Sequence, residues 1–208
     1  MDLLFLGKMF TENGVLPEYG LATDGILQAN AAGHLFLKEI TSENIPIEKV
    51  QLYFSPFTRT RQTTEAVGSV LNIPFASPQM KVTEELRERY FGPQLELQSH
   101  DHYPEIWALD EKDPFSPPEG GESVADVASR LSTIVPKIEA ECEGYGILLV
   151  AHGDPLQIFQ AILHASFHNH PTEKNGILEI DMPGVMTPSI LSQHRKFSLL
   201  TGELRRVI

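Results

Sequence analysis

The chain has 208 residues, 41% of them hydrophobic and 21% charged, a balance that places it in the globular range and excludes disorder as its general state. Sixteen Lys and Arg against 28 Asp and Glu leave a formal net charge of -12, and that field disfavours nucleic acid and anionic lipid as general partners. It also repels phosphorylated small molecules, so any phosphate-handling site here needs a local cluster of Arg and His.

The length predicts a single domain over 1–208. Cys142 is the only cysteine, which rules out an intrachain disulfide and fits a reducing compartment such as the cytoplasm. No apolar run approaches the ~20 residues that span a bilayer, so no membrane partner is expected. The first ten residues begin with Asp2 and lack a basic n-region and a small-residue cleavage site; they read as a first strand, not a secretory signal.

In chain order, the apolar run at 3–6 suits a buried parallel strand. Residues 22–40 carry Ile26, Ala29, Ala32, Leu35 and Phe36 at spacings of three and four, one face of a helix capped near Thr23 or Asp24. Residues 50–54 read as a strand and 56–71 as a helix. From 82 to 118 the pattern loosens around Pro93, Pro104, Pro114, Pro117 and Pro118, an insertion of the kind that walls or covers a pocket. Val124, Val127, Ala128, Leu131, Ile134 and Val135 then predict one long helix within 122–141. GILLVA at 146–151 is a central parallel strand opening onto His152. A helix is expected at 156–165 and strands at 177–180 and 197–201. Alternation of this kind points to an α/β fold, a three-layer α/β/α sandwich with a mostly parallel central sheet, whose ligands lie beyond the carboxyl ends of the strands. Three loops that follow strands carry polar chemistry and are expected to meet: Gly7-Lys8, SPFTRTRQ at 55–62, and His152-Gly153-Asp154.

Arg59 and Arg61 fall on the first turn of a helix, where free N–H groups favour anions. A phosphate contact and a solvated surface cation are equally good readings of that position alone. Glu88, in LRERYFG at 86–92, is a general-acid candidate if its loop keeps it protonated. His152 has the stronger claim, being a titratable ring at a strand's carboxyl end. His164 and His168 stand i, i+4 with His170 nearby, but no carboxylate or Cys joins them at ligand spacing, so an exposed helix end is the better reading and no metal site or cofactor is expected. His100 and His102 read as solvated residues of the insertion, with a substrate contact from a pocket wall as the alternative.

Together these segments resemble the histidine phosphatase superfamily, in its phosphoglycerate mutase-like branch, and within it the plant phosphoglycerate mutase-like proteins. SPFTRTRQTTE (55–65) is similar to the family's SxxxRxxQT segment, LRERYFG to its ERxYG segment, GGES (120–123) to its GES helix start, and LLVAHGDP (148–155) to its second His-Gly motif. Leu21 to Gly25 with Gln28-Ala29 resembles the stretch that opens the family's first helix. The resemblance implies a phosphoglycerate mutase-like fold and a metal-free phosphomonoester hydrolase that works through a phosphohistidine. Arg59 would then bind the phosphoryl group with help from Arg89, Glu88 would protonate the leaving oxygen, and His152 would stabilise charge on the transferring group.

The family's nucleophile is missing. Where it carries Arg-His-Gly at the end of its first strand, this chain reads Phe5-Leu6-Gly7 followed by Lys8, or Leu6-Gly7-Lys8 in the register set by Asn13. Gly7 and Lys8 thus remain as phosphate contacts, and Lys8, protonated at an ordinary pKa near ~10.4, cannot attack. Two origins fit a motif this near residue 1: an altered start or splice junction, and gradual decay. Two functions follow, a phosphatase-fold protein of weak or lost activity on a small phosphomonoester, and a non-enzymatic module that binds a phosphate ligand or a protein. Mutase activity is disfavoured because Ala108 and Leu109 follow Ile106-Trp107, where the mutases it resembles carry two arginines that grip a carboxylate.

Overall fold

The structure is a computed structural model that describes residues 14–96, 103–142, 144–169 and 182–207. The expected strands at 3–6 and 177–180 lie outside the described residues. Two compact units are formed, the first by residues up to Arg87 with Cys142–His152 and Leu200–Arg206, the second by Glu88–Glu141 with Gly153–Leu199 and the last two residues.

The first unit holds α1 (Thr23–Ser42), β1 (Val50–Phe54), α2 (Thr58–Leu71), β2 (Met80–Val82) and β3 (Gly146–Val150). The strands make a parallel sheet in the order β2-β1-β3. Val50 to Phe54 pair with Gly146 to Val150 on one side, and Leu52 to Phe54 with Met80 to Val82 on the other. Central position explains why β1 is apolar at every position but Gln51: Val50 and Leu52 are fully buried, as both faces of a parallel sheet are covered. Phe36 and Ile40 of α1 and Val67 and Leu71 of α2 complete this core with Ile73, each buried side chain of this size contributing roughly 1.5–3 kcal/mol.

Several expectations are corrected here. The buried face of α1 is Ala29, Gly33, Phe36 and Ile40, while Ile26 and Leu35 are exposed; periodicity found the helix but set its face partly wrong. Ala22 occupies the N-cap without a side-chain cap bond, so Thr23 and Asp24 are inside the helix. β2 escaped sequence reading because three residues carry too little period to register. The expected strand at 197–201 is instead the end of a 3-10 turn, His194–Phe197, followed by extended and turn residues.

The second unit contains α3 (Tyr103–Lys112), α4 (Val124–Ser132), α5 (Ile134–Glu141), α6 (Gly153–Asn169), and short helices α7 (Met182–Val185) and α8 (Pro188–Leu191). The insertion is thus partly helical. The helix expected across 122–141 is two, parted at Thr133, because Pro136 offers no N–H to the Ser132 carbonyl and its ring crowds that oxygen. Placed at the third position of α5, Pro136 removes only a donor that a helix start leaves unused. Ser123 caps α4, its hydroxyl accepting from the Asp126 N–H at 3.0 Å while Asp126 Oδ2 accepts from the Ser123 N–H at 2.9 Å. The helix expected at 156–165 runs longer at both ends. Among the described residues no helix is long and apolar enough to cross a membrane.

Candidate functional site

In the first unit, β1 and β3 end side by side and deliver the polar residues that follow them. The Ser55 N–H donates to the Val150 carbonyl at 3.0 Å, which carries the pairing one residue past β1. There the Ser55 hydroxyl and His152 Nε2 share a hydrogen bond of 2.8 Å between buried residues. The His152 ring also meets Phe57 edge-on at 5.0 Å, and the Arg59 guanidinium lies 5.0 Å from the same Phe57 ring. Phe57 therefore orients both the imidazole and the cation, by packing and cation–π attraction.

The loop is fixed by its own hydroxyls. Thr60 Oγ1 donates to the Ser55 and Phe57 carbonyls at 2.9 and 2.7 Å, and the N-cap of α2, Phe57, supplies no side-chain acceptor to the first turn. Gln62, from the same motif, accepts the Leu21 N–H at 2.6 Å and so ties the approach to α1 onto α2. Arg61 separates from Arg59 in kind: it is exposed, paired with Glu65 at 3.1 Å and set over Phe75, which is the surface-cation reading.

The second unit holds Glu88 and Arg89. Glu88 is half-buried, and its Oε1 accepts the Arg89 N–H at 3.0 Å. Arg89 is fully buried. Its Nη1 and Nη2 each donate to Asp110 at 2.7 Å, Nη1 also reaches Asp154 at 3.2 Å, and Nε donates to the Glu122 carbonyl at 2.9 Å. The two carboxylates raise the Arg89 pKa above its usual value against the opposing effect of burial. Four of the five N–H donors of this fully buried guanidinium are taken up by Asp110, Asp154 and the Glu122 carbonyl, so Arg89 serves here as a scaffold for the segment that carries Glu88.

Around it the backbone is crowded by design of the sequence. Glu122 Oε2 accepts the Tyr90 N–H at 2.9 Å and Oε1 pairs with Arg130 at 3.1 Å. Gly92 has φ +97°, and a Cβ there would collide with the Glu119 carbonyl oxygen; one on Gly121 would stand 2.7 Å from the Tyr90 carbonyl oxygen. The glycines of LRERYFG and GGES therefore let two backbone segments cross.

His194, unremarked in the sequence, is fully buried beside this ion pair. Its Nδ1 lies 3.0 Å from the Leu191 carbonyl, and its Nε2, 3.7 Å from Asp110 Oδ2, has no hydrogen-bond partner among the described residues. Burial pushes its pKa below the ordinary histidine value, against the attraction of Asp154 and Asp110. Asp110, Asp154 and His194 offer ligand atoms within 4.8 Å of one another. However, both Asp110 oxygens and Asp154 Oδ2 already accept from Arg89, and Asp154 Oδ1 accepts from Gln157 at 3.0 Å. The donor set suits a guanidinium, which it holds, better than a metal ion.

Of the predicted site residues, Arg59 and His152 meet on Phe57 in the first unit, and Glu88 and Arg89 belong to the second. Gly7, Lys8, Leu6, His100, His102 and His170 lie outside the described residues. His164 is exposed with its ring 5.3 Å from Phe197. Ser55 and Phe57 went without a role in the sequence although they stand in its most informative motif; Asp110 and His194 carried no motif at all.

The model of the histidine phosphatase superfamily, branch 1, matches residues 14–179. The chain belongs to that superfamily. Among solved structures, a mycobacterial glucosyl-3-phosphoglycerate phosphatase in complex with inorganic phosphate is 25% identical, with a TM-score of 0.54 over 69% of each chain. YhfR of Bacillus stearothermophilus is 26% identical, with a TM-score of 0.53 over 69% of this chain and 67% of its own. An open reading frame product of Mycobacterium tuberculosis, at 20% identity and a TM-score of 0.53, covers 88% of this chain and 75% of its own, and so bears on fold alone. A comparison with curated proteins gives no match. Membership settles the fold class, α/β with a parallel sheet, as that of the histidine phosphatases.

Proposed function

We propose that this histidine phosphatase superfamily member binds a small phosphomonoester and hydrolyses it weakly, because the attacking histidine of the family is replaced. The observation that carries this is the joined end of β1 and β3, where His152 is bonded to Ser55 and Arg59 shares the Phe57 platform. A guanidinium on the first turn of an uncapped helix is suited to a phosphoryl group, since the helix N–H groups and its dipole add to the same attraction. Arg59 binds the phosphoryl oxygens and His152 stabilises their charge. Glu88 gives its proton to the leaving oxygen as the phosphorus–oxygen bond breaks, and Arg89 fixes the backbone that carries it. With no imidazole at residue 6, water must attack phosphorus directly, and loss of a covalent nucleophile costs on the order of 10⁶ in rate.

The family match begins at residue 14, after Leu6, Gly7 and Lys8, which supports a departure from the family in that segment. The same fact favours the second reading, a phosphate-binding module without chemistry. We further propose that the chain functions in the cytoplasm, as the single cysteine suggests.

The test is turnover of a generic phosphomonoester by the wild type and by a Phe5→Arg, Leu6→His double variant. The restored variant should gain orders of magnitude and trap a phosphohistidine visible by phosphorus NMR. No gain, with phosphate binding that Arg59→Ala abolishes, leaves the binding module; no gain and no phosphate binding overturns both.

A further inference from the structure

Arg195, in the turn after α8, is held more tightly than a half-exposed cation needs to be. Its guanidinium carbon lies 3.6 Å from the centroid of the Trp107 ring, and Nη1 donates to Gln157 Oε1 at 2.9 Å. Gln157 is itself buried and donates to Asp154 Oδ1 at 3.0 Å. A chain of bonds thus runs from the buried Arg89 pair out to Arg195 and fixes both the plane and the position of its guanidinium.

The arrangement is rich in donors and short of acceptors. Among the described residues, Gln157 Oε1 is the one acceptor that meets the Arg195 fork, and no carboxylate pairs with it. The indole Nε1 of Trp107 beneath it is buried with no acceptor among the described residues. Lys196 adds an exposed positive charge at the next position, in a chain whose net charge is -12. An arginine merely facing water samples many rotamers. One preorganised on an aromatic face, with its outer N–H groups open, is the arrangement that takes two oxygens of one anion through paired charge-assisted hydrogen bonds.

We infer that Arg195 on its Trp107 platform is an oxyanion-binding site that receives a phosphoryl or carboxylate group of a small ligand. It is built within the second unit, and it stands or falls without Arg59.

Trp107 is the only tryptophan of the chain, so its fluorescence reports on this stack. The full chain is titrated with inorganic phosphate and, separately, with acetate, against sodium chloride at matched ionic strength. Expected is a saturable change in emission with at least one oxyanion and none with chloride. Arg195→Gln should abolish it, Arg195→Lys should raise the half-saturation concentration roughly tenfold or more through loss of the paired bonds, and Arg59→Ala should leave it in place. The arm that saturates, phosphate or acetate, names the group. Circular dichroism of the Arg195 variants confirms that they fold; should Arg195→Gln not fold, the Lys variant alone decides. An emission that neither oxyanion moves, that Arg195→Gln leaves unchanged, or that is lost in Arg59→Ala overturns the inference.

Discussion

Arg89 donates to Asp154 across 65 positions of sequence, at 3.2 Å and between buried side chains. Each partner adjoins a residue of the proposed chemistry: Glu88 precedes Arg89, and His152 stands two positions before Asp154. Asp110 closes the other side of the guanidinium with two bonds of 2.7 Å. The pair therefore fastens the segment that bears Glu88 to the first turn of α6, the helix that His152 introduces.

Arg89→Met would leave two carboxylates buried without a cation, and breaking a buried pair by removing one partner costs about 3–5 kcal/mol. The expected result is a lower urea midpoint, or a chain that does not fold at ambient temperature. Arg89→Met with Asp110→Leu should recover part of that loss, because one stranded charge is removed with its partner. A single variant as stable as the wild type would show that the ion pair contributes nothing to the second unit.

How far these features could be read in advance follows from how local their causes are. Val50–Phe54 and Gly146–Val150 were legible because strands of a parallel sheet are dominated by apolar residues. The placement of His152 and Arg59 followed from strand ends. By contrast, the role of Arg89 depends on Asp110 and Asp154, distant partners that no spacing announces; the family resemblance implied a substrate contact, and the guanidinium is buried with two acids. Met80–Val82 and the break at Thr133 were missed for opposite reasons, the one too short for a period and the other masked by a period that runs through Pro136.

Ser55 is a positioning residue for His152. Ser55→Ala removes the hydroxyl 2.8 Å from Nε2 and leaves a buried ring nitrogen without that partner, a loss of about 1–3 kcal/mol in stability. The nitrogen NMR signals of the His152 ring should shift as the tautomer balance changes, and phosphate affinity should fall. Ser55→Thr, which keeps the hydroxyl, should restore the ring signals. Signals identical in the wild type and Ser55→Ala would remove Ser55 from the site.

Gly121→Ala places a methyl group 2.7 Å from the Tyr90 carbonyl oxygen and from the Phe91 carbonyl carbon. Both are backbone atoms that cannot swing away, so overpacking of about 1–3 kcal/mol is expected. The displaced segment also carries Glu88, so turnover of the nucleophile-restored protein should drop further than its phosphate affinity. Equal losses in both would place Glu88 outside the reaction.

His194 supplies the pH dependence. Burial beside Arg89 holds its pKa below the ordinary value of about 6.5, although Asp154, the Leu191 carbonyl and Asp110 pull the other way. Below about pH 6.5 the unfolded chain takes up a proton at this residue that the folded protein resists, so the unfolded state binds more protons and stability falls as pH decreases. The loss grows until the pH reaches the depressed folded value and then levels off. His194→Gln cannot titrate, and its amide N–H can still donate to the Leu191 carbonyl that Nδ1 faces at 3.0 Å. Urea midpoints measured from pH 7.5 down to 5 should therefore decline less steeply in His194→Gln than in the wild type, with the two curves converging toward the acid end. Parallel curves would mean that His194 takes up its proton at the same pH in the folded and unfolded states, and that burial does not depress its pKa.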